Sequence, residues 1–482
     1  MALIIYNTLS QKKQIFKPRQ GKKINLFVCG PTVYDFPHLG HARTYIVFDV
    51  IVKYLRQFGF DVFYLQNITD IDDKIINRAK EENVSWKILS RKFEKKYLKD
   101  MQALGIDSVS QYARATKHIK QIVSQVKRLL KSGFAYQIED GIYYNIKKFK
   151  DYGKLSKRTA LQAEDSVSRI DEAKEKRNKG DFCLWKKSKP GEPYWQSPWF
   201  LGRPGWHIED TAITEKYFGP QYDIHGGARD LIFPHHEAEI SQMEAISGKS
   251  PLVKYWLHTG FLTVKGKKMA KSLGNFITIQ DFLKRGRKKD CSRFLRFIII
   301  KNHYRSPLDY NETALAQSRT EFTKIIDFIK RLKKIRATNE EQSRTAKDLL
   351  FKTKSGFQEA MDDDLNTPKA VAEILNLTNK GNYLLDNKEI SLTDANNILE
   401  FLFSIDKIFG FNLKDTNFYF PIHQKAEGKK EISLREIKLL AQKREKYRQK
   451  KQWQKADEAR REIKEMGYLI EDTKEGPKIK KL

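Results

Sequence analysis

Cysteine is scarce in this chain, and long apolar runs are missing from it. The three cysteines, Cys29, Cys183 and Cys291, are odd in number and far apart among 482 residues. This argues against a disulfide framework and predicts a reducing compartment. No run approaches the ~18 apolar residues of a membrane span, and the N-terminal apolar stretch is too short for a signal peptide. We therefore expect a soluble, cytoplasmic protein.

Acidic residues are also in deficit. The chain has 91 Lys and Arg against 60 Asp and Glu, a net charge of +31. A charge of this sign and size usually indicates a polyanionic partner, because each neutralised phosphate releases condensed counterions. A uniformly lysine-rich proteome is the alternative explanation. Hydrophobic residues make up 40% of the chain, enough for packed cores in two to four domains.

The order of predicted elements indicates an α/β body. Residues 24–34 predict a buried strand that runs into a Gly-Pro loop, residues 41–58 a helix and residues 60–69 a second buried strand. Strand, helix and strand of this length form a βαβ unit, which implies a parallel sheet. From about Ser318 the pattern is helical, and the residues beyond Pro421 predict one long basic helix with a loose end.

Two short motifs suit a polyphosphate. His38, Gly40 and His41 follow the first strand, where a parallel sheet places its ligands. Lys268-Met269-Ala270-Lys271-Ser272 lies in a loop rich in Gly and Lys, whose two lysines could neutralise a leaving pyrophosphate. Surface histidines beside a turn and an exposed basic turn are the respective alternatives.

A third group of residues has the donor atoms of a zinc site. Cys29 ends the first strand, and Asp210, His235 and Glu239 lie far downstream. His235 and Glu239 are four residues apart and would share a helical face if Pro234 opens a helix. A thiolate, an imidazole and a carboxylate are zinc ligands by type. The alternatives are a buried strand cysteine, a helix-capping Asp210 and a surface His–Glu pair.

Eight segments, in this order between residue 24 and about residue 410, resemble the cysteinyl-tRNA synthetases, a family of class I aminoacyl-tRNA synthetases: FVCGPTVYD, NITDIDDKII, DYGKLS, GRPGWHIE, DIHGG, DLIFPHHEAEI, KMAKSLGNF and DDDLNTP. The pair HLGH and KMAKS resembles the signature of that class, with Ala270 in place of the usual serine. The resemblance implies a cysteine–tRNA ligase that forms cysteinyl-adenylate from ATP and L-cysteine and then charges tRNA(Cys).

The resemblance also implies an α/β fold with a Rossmann-like parallel-sheet catalytic domain, an insertion and two C-terminal domains. We expect these boundaries: first catalytic half 1–114, connective insertion 115–200, second catalytic half with the KMAKS loop 201–317, helical-bundle anticodon-binding domain 318–420 and small basic tRNA-binding domain 421–482.

Site residues carry over from the family motifs. Catalytic roles are expected for His38, His41, Lys268 and Lys271, and ATP binding for these with Gly40 and Ser272. The cysteine or adenylate pocket is expected at Thr69, Trp206, His225 and Asp230. One Zn²⁺ per subunit, bound by Cys29, His235 and Glu239, would take the substrate thiolate. The fourth family ligand is usually cysteine, and Asp210 stands there. Mg²⁺ is expected with ATP, and capping or structural roles are favoured for Asp70, Asp72 and Asp73 over a magnesium site.

The C-terminal residues favour a tRNA partner. Residues 425–482 carry 19 Lys and Arg against 11 Asp and Glu, and Trp453 among them suits base stacking or anchors the tail helix on the bundle. A monomer is expected from the family. Two rivals are a paralogous ligase joining cysteine to an amino sugar, which lacks the full C-terminus, and an inactive tRNA-binding paralogue, which would be expected to lose some of the signature histidines and lysines.

Overall fold

The computed structural model describes residues 2–158, 175–336, 343–421, 434–449, 452–465, 468–473 and 476–481. The chain forms two compact units, Met1–Ile422 and His423–Leu482. Residues 159–174, within the expected connective insertion, lie outside the described residues.

The strands of the first unit are β1 Ile4–Asn7, β2 Lys12–Ile15, β3 Lys23–Val28, β4 Asp61–Ile68, β5 Gln111–Arg114, β6 Ala135–Ile138, β7 Gly141–Tyr144, β8 Phe182–Lys187, β9 Gly202–Pro204, β10 Tyr222–Ala228, β11 Val253–Thr259, β12 Leu262–Val264, β13 Lys267–Lys268 and β14 Leu308–Tyr310. Its α-helices are α1 Leu39–Gln57, α2 Asp73–Glu81, α3 Trp86–Ala103, α4 Ile119–Lys131, α5 Trp206–Phe218, α6 Glu237–Ser247, α7 Ile279–Leu283, α8 Lys288–Ile300, α9 Glu312–Leu332, α10 Arg344–Asp362, α11 Thr367–Asp386 and α12 Leu392–Phe409.

The centre of the first unit is a parallel five-stranded sheet in the order β11-β10-β3-β4-β5. Strands β3 and β4 are joined through α1, as the βαβ pattern predicts, and their inner residues are buried because helices cover both faces. The order reverses between β3 and β10, and the crevice at such a point binds ligands in open α/β sheets. The predicted Rossmann-like α/β fold is confirmed.

The insertion has its own sheet and core. Strands β6 to β9 form an antiparallel sheet, against which α4 packs the apolar stripe of Ile122, Val126 and Leu129. The three residues recur at the spacing of one face of a helix. The sheet carries the chain to Gly205, from which α5 enters the site.

The helical bundle, α9 to α12, breaks where the sequence pattern suggested one helical stretch. Between α10 and α11 the chain turns with Asp364 at φ 58° and Leu365 at φ 52°, which are left-handed and end the helix. Asp364 is fully buried and accepts hydrogen bonds from the Tyr6 amide at 2.7 Å, the Tyr304 hydroxyl at 2.7 Å and the Arg305 Nε at 2.8 Å. This residue therefore joins the bundle to the catalytic body.

The second unit corrects the prediction of one long helix and a loose end. It contains two helices, α13 Leu434–Gln449 and α14 Trp453–Glu465, and an antiparallel hairpin of β15 Tyr468–Thr473 and β16 Gly476–Lys481. Ile437, Ile463 and Ile470 share its apolar core. Such a small core needs the hairpin as a second layer. Among the helices described in either unit, none is long and apolar enough to cross a bilayer.

Candidate active site and metal centre

Cys29 lies at the carboxyl end of β3, beside the point where the strand order reverses. Its amide donates to the Gly226 carbonyl of β10 at 3.0 Å. The next residue, Gly30, donates to the Asn67 side chain. A Cβ on Gly30 would lie 1.8 Å from the Asn67 carbonyl oxygen, so only glycine lets the two strand ends approach this closely. The thiol is thereby fixed at the crevice.

The four predicted metal ligands converge. Donor atoms of Cys29, Asp210 and His235 lie within 4.8 Å of one another. The His235 Nε2 is 3.6 Å from the Cys29 Sγ, 3.1 Å from an Asp210 oxygen and 3.4 Å from a Glu239 oxygen. All four side chains are buried. The surface-pair alternative for His235 and Glu239 is therefore wrong.

Asp210 does not cap a helix. Helix α5 begins at Trp206 after Gly205, so Asp210 lies within it, and the capping alternative is wrong. His235 closes a wide helical turn over Ile232–His236, and Glu239 lies in the first turn of α6. Pro234 and His235 therefore both precede α6. Of the predicted ligands His235 and Glu239, only Glu239 belongs to that helix.

Among the described residues, no lysine or arginine forms an ion pair with Asp210 or Glu239. Within that part of the chain, one Asp210 oxygen and both Glu239 oxygens have no hydrogen-bond donor although they are buried. Burial, with the charges of Asp210 and Glu239, raises the pKa of the Cys29 thiol well above its ordinary value. Burial and the Asp210 charge likewise raise the pKa of Glu239. Buried anionic groups are stable when they coordinate a metal, so the donor set fits a divalent cation.

A second layer orients His235. Its Nδ1 is 2.8 Å from the Nδ1 of His207, and its ring stacks on Trp206 at 4.2 Å. Burial and the neighbouring His235 lower the pKa of His207 well below its ordinary value, so that ring is neutral. If His235 donates from Nδ1, its Nε2 keeps a free lone pair toward Cys29. An outer partner of this kind fixes the tautomer of a metal-binding histidine.

Further histidines line the other side of Glu239. His225 and His236 lie with Glu239 in a second buried group whose donor atoms are within 4.8 Å of one another. His225 contacts the Tyr222 hydroxyl at 2.7 Å, and His236 contacts His258 at 2.8 Å. Burial lowers the pKa of His258 to about 3 and those of the other two well below the ordinary value. These imidazoles are therefore neutral.

His38 and His41 present two ring N–H groups at the start of α1. The Nδ1 of His38 accepts from the Gly40 amide at 3.1 Å, and the Nδ1 of His41 accepts from the His38 amide at 3.2 Å. Because Nδ1 accepts, the proton of each neutral ring is on Nε2. Burial lowers the pKa of His38 to about 4, an effect that Asp35 opposes and Lys271 increases. Burial, with the neighbouring His38, lowers the pKa of His41 well below its ordinary value. Both rings are half-buried at the start of α1.

The KMAKS loop docks on this helix start. His38 forms a β-bridge with Thr278, and the Phe276 ring packs edge-on to the His38 ring at 5.2 Å. The Lys271 ammonium pairs with Asp35, which also accepts from Arg78 at 2.8 Å. Lys268 is exposed in β13, and Ser272 follows Lys271 in the turn Lys271–Leu273. The structure thus brings Lys271 close to His38, whereas Lys268 belongs to the preceding strand β13.

Three of the expected amino-acid pocket residues, Thr69, Trp206 and His225, lie beside the metal cluster or its direct neighbours. Thr69, at the end of β4, donates to Glu209 at 2.8 Å, and Trp206 remains 37% exposed. His225 is buried in β10, whereas Asp230 is exposed in the turn Arg229–Leu231 that follows it. The roles of these four residues stay predictions. Asp72 caps α2, accepting from the Lys74 amide at 2.8 Å, so its expected capping role is confirmed.

Several site residues were missed from the sequence. His207 and Glu209 flank predicted residues within GWHIED, and His236 follows His235, so adjacency was an available signal. Asp35 lies three residues before His38, so the same signal was available for it, whereas His258 lies in no motif and reaches the site through tertiary contacts.

Comparisons with known proteins cover nearly the whole chain. The family model described as the class I (C) tRNA synthetase catalytic domain matches residues 15–320, and that of the DALR domain matches residues 356–414. A cysteine–tRNA ligase from Thermococcus gammatolerans is 43% identical over 100% of both chains. One from Carboxydothermus hydrogenoformans is 40% identical over 99% of this chain and 100% of its own.

A solved structure shares the fold. The methionyl-tRNA synthetase of Mycobacterium tuberculosis in complex with methionyl-adenylate superposes with a TM-score of 0.57 at 16% identity, over 82% of this chain and 89% of that one.

Proposed function

This chain belongs to the cysteine–tRNA ligases of class I, and on that premise we propose how its residues perform the reaction. The ligase uses ATP to activate L-cysteine and transfers the cysteinyl group to tRNA(Cys). In the first step a cysteine carboxylate oxygen attacks the α-phosphorus of ATP, and pyrophosphate leaves. In the second, a ribose hydroxyl at the tRNA 3′ end attacks the carbonyl carbon, and AMP leaves. One observation carries the proposal. The cluster of metal-ligand side chains around Cys29 lies at the carboxyl ends of the sheet strands, as do the HLGH and KMAKS motifs.

We infer that Cys29, Asp210, His235 and Glu239 hold one Zn²⁺. Support comes from the donor types, the burial and the undonated Asp210 and Glu239 oxygens. When bound there, zinc supplies a soft-ligand preference that favours the thiolate of cysteine over the hydroxyl of serine. An apolar pocket alone separates such near-isosteres by only ~1–3 kcal/mol. Asp210 contributes a harder oxygen than the family's usual sulfur and would leave the cation more electrophilic.

The phosphate chemistry falls to neutral donors and a lysine. The Nε2–H groups of His38 and His41 point away from their own capping bonds and can donate to phosphate oxygens, with Gly40 allowing close approach. Donors fixed in advance stabilise charge that develops in the transition state. Lys271 leaves Asp35 for the β,γ-phosphates, Lys268 and Ser272 bind beside it, and Mg²⁺ accompanies ATP.

The amino-acid side of the site is formed by Thr69, Trp206, His225 and Asp230. Thr69 and Trp206 flank the metal cluster, and the buried neutral His225 lies against Glu239, at 3.5 Å between Nδ1 and a carboxylate oxygen. Exposed Asp230 is suited to the substrate ammonium. For tRNA, the DALR match within residues 318–420 and the basic second unit, where Trp453 is 59% exposed, supply the binding surfaces. A monomer suffices, since every proposed ligand comes from one chain.

The test is ATP–pyrophosphate exchange with each amino acid, followed by charging of tRNA(Cys) transcript and zinc analysis of the purified protein. Exchange with cysteine but not serine, and zinc near one per chain, is the expected result. A fully active protein without metal would overturn the zinc assignment, whereas exchange driven by another amino acid would overturn the substrate.

A further inference from the structure

A cleft on the catalytic body, separate from the metal cluster, has the chemistry of a nucleotide site. It has a volume of about 370 Å³ and is lined by two tryptophans, three cations and hydroxyl groups, chiefly Trp86, Trp195, Lys87, Arg91, Lys117 and Thr116. Lys87, Arg91 and Lys117 are exposed at its rim, and the two indoles are half-buried. Neither the adenylate site nor the metal centre includes any of these residues.

The aromatic part of the cleft is preformed. The Trp86 and Trp195 rings meet edge to face, with centres 5.8 Å apart and planes at 66°. The Lys87 ammonium lies 5.5 Å from the centre of the Trp86 ring. A flat indole surface beside mobile cations is the combination that binds single-stranded nucleic acid, since any base can stack on it while its phosphates are neutralised.

The cleft shares a sheet edge with the reaction centre. Thr116, in its wall, donates to the Asp70 carboxylate from its amide at 2.9 Å and from its hydroxyl at 2.6 Å. Asp70 directly follows Thr69, whose hydroxyl binds Glu209. Arg91 also approaches Asp70, at 3.8 Å. Asp70 therefore connects the wall of the cleft, at Thr116, to the expected amino-acid pocket, at Thr69.

We propose that this cleft binds an unpaired nucleotide of the tRNA 3′ end, with its base on Trp86 and its phosphates at Lys87 and Lys117. The inference rests on the proposed function, because only a tRNA that accepts the acyl group must bring a single-stranded end to this sheet edge. Charge complementarity supports RNA as the occupant. Arg91 is paired with Glu94 at 2.7 Å and approaches the buried Asp70 at 3.8 Å, whereas Lys87 and Lys117 form no ion pair among the described residues and remain exposed at the opening.

The test uses the full chain and tRNA(Cys) transcripts with and without the unpaired 3′ end. The variant Lys87→Gln/Lys117→Gln removes two exposed charges. Its matched control is Lys95→Gln/Lys99→Gln, which removes two exposed lysines further along α3, at a different pocket. Trp86→Leu removes the aromatic surface, and Trp86→Phe restores one. Binding constants at several salt concentrations and cysteine-dependent pyrophosphate exchange are measured for each.

With intact tRNA, the Lys87→Gln/Lys117→Gln variant should bind more weakly and lower the slope of log K against log salt by about 1.4, for two phosphates on a single strand. Trp86→Leu should weaken binding about 5- to 150-fold, and Trp86→Phe should recover most of it. Both effects should vanish with the truncated transcript, and pyrophosphate exchange should be unchanged. The control pair should leave the 3′-end-dependent part of the affinity intact.

Equal losses with intact and truncated transcripts would overturn the 3′-end assignment, and unchanged affinity in the lysine variant would overturn the site. Should Trp86→Leu also lose exchange through misfolding, the exposed lysine pair decides the question alone. Failure of the proposed function itself is distinguishable, because it would be seen as absent cysteine exchange in the unaltered chain.

Discussion

Replacing Asp210 by asparagine should have opposite effects on the metal and on the thiol. Cys29 and Asp210 donor atoms lie within 4.8 Å of each other. Two unit charges at that separation repel by roughly 3–4 kcal/mol at an effective dielectric of ~20. Removing the Asp210 charge should therefore raise the Cys29 thiolate population of the metal-free protein on the order of a hundredfold or more at a given pH. Burial alone would still hold the pKa of the thiol high.

Zinc affinity should fall in the same variant. Loss of an outer partner of a metal ligand typically costs 10–100-fold in affinity, so loss of a direct carboxylate ligand should cost at least about 100-fold. Asp210→Cys should retain zinc, because it restores a thiolate. In the unaltered protein, affinity should rise with pH, since the raised pKa of Cys29 means that a proton must leave when the metal binds.

The assay is competition for zinc against a chromophoric chelator, with ultraviolet titration of the thiolate in chelator-treated protein. Cys29→Ser gives the baseline, because Cys183 and Cys291 contribute equally to both samples. Unchanged zinc affinity in Asp210→Asn, with Asp210→Cys no different, would refute Asp210 as a ligand. A metal loss without any gain in thiolate would refute the electrostatic reasoning instead.

Four other outcomes are expected. Lys271→Ala should raise the activation free energy of adenylate formation by on the order of 2.7–4 kcal/mol, and so lower kcat, while the cysteine KM stays nearly unchanged. A large rise in that KM with kcat intact would contradict the role of Lys271. Pyrophosphate exchange should show no inflection from His38 near the ordinary histidine value of 6.5, because its pKa is about 4; an inflection there that disappears in His38→Gln would count against the neutral donor. Truncation after Gly428 should weaken tRNA charging in a salt-dependent manner and spare cysteine activation, while equal loss of both would assign the tail to stability. Asp364→Asn should destabilise the first unit by about 1–3 kcal/mol, as expected when a buried carboxylate that accepts several hydrogen bonds becomes a neutral amide while Arg305 stays partly exposed, and an unchanged melting temperature would argue against this role of Asp364.

The sequence predicted the catalytic sheet well because local patterns determine it. The buried runs before Cys29 and before Thr69, with a helical period between them, are sufficient for a βαβ unit. The tail was predicted less well: α13 and α14 together resemble one basic helix, since the break between them is rich in Lys and Gln and carries no Gly or Pro. The bundle break at Asp364 was missed although Asn366, which caps α11, and Pro368 in its first turn are a helix-start signal; the left-handed backbone at Asp364 and Leu365 itself leaves no trace in composition.

The site shows the same division. Motifs located Cys29, His38, Lys271 and the acidic and imidazole donors. They did not predict how the histidine rings are oriented. The neutral tautomers of His38 and His41 follow from capping bonds, and the environment of His235 follows from His207 and Trp206. Partners of this kind come from distant segments, so spacing along the chain could not predict them.

The contacts of Asp364 fix the distance between the helical bundle and the reaction centre, which bears on the RNAs that can contact both. A buried carboxylate that holds β1, Tyr304 and Arg305 together leaves the bundle no independent hinge at this turn. The span between the bundle and the reaction centre is then set by the protein before any RNA arrives. An RNA that contacts both must match that span or bend to it, so its stiffness contributes to selection as well as its sequence.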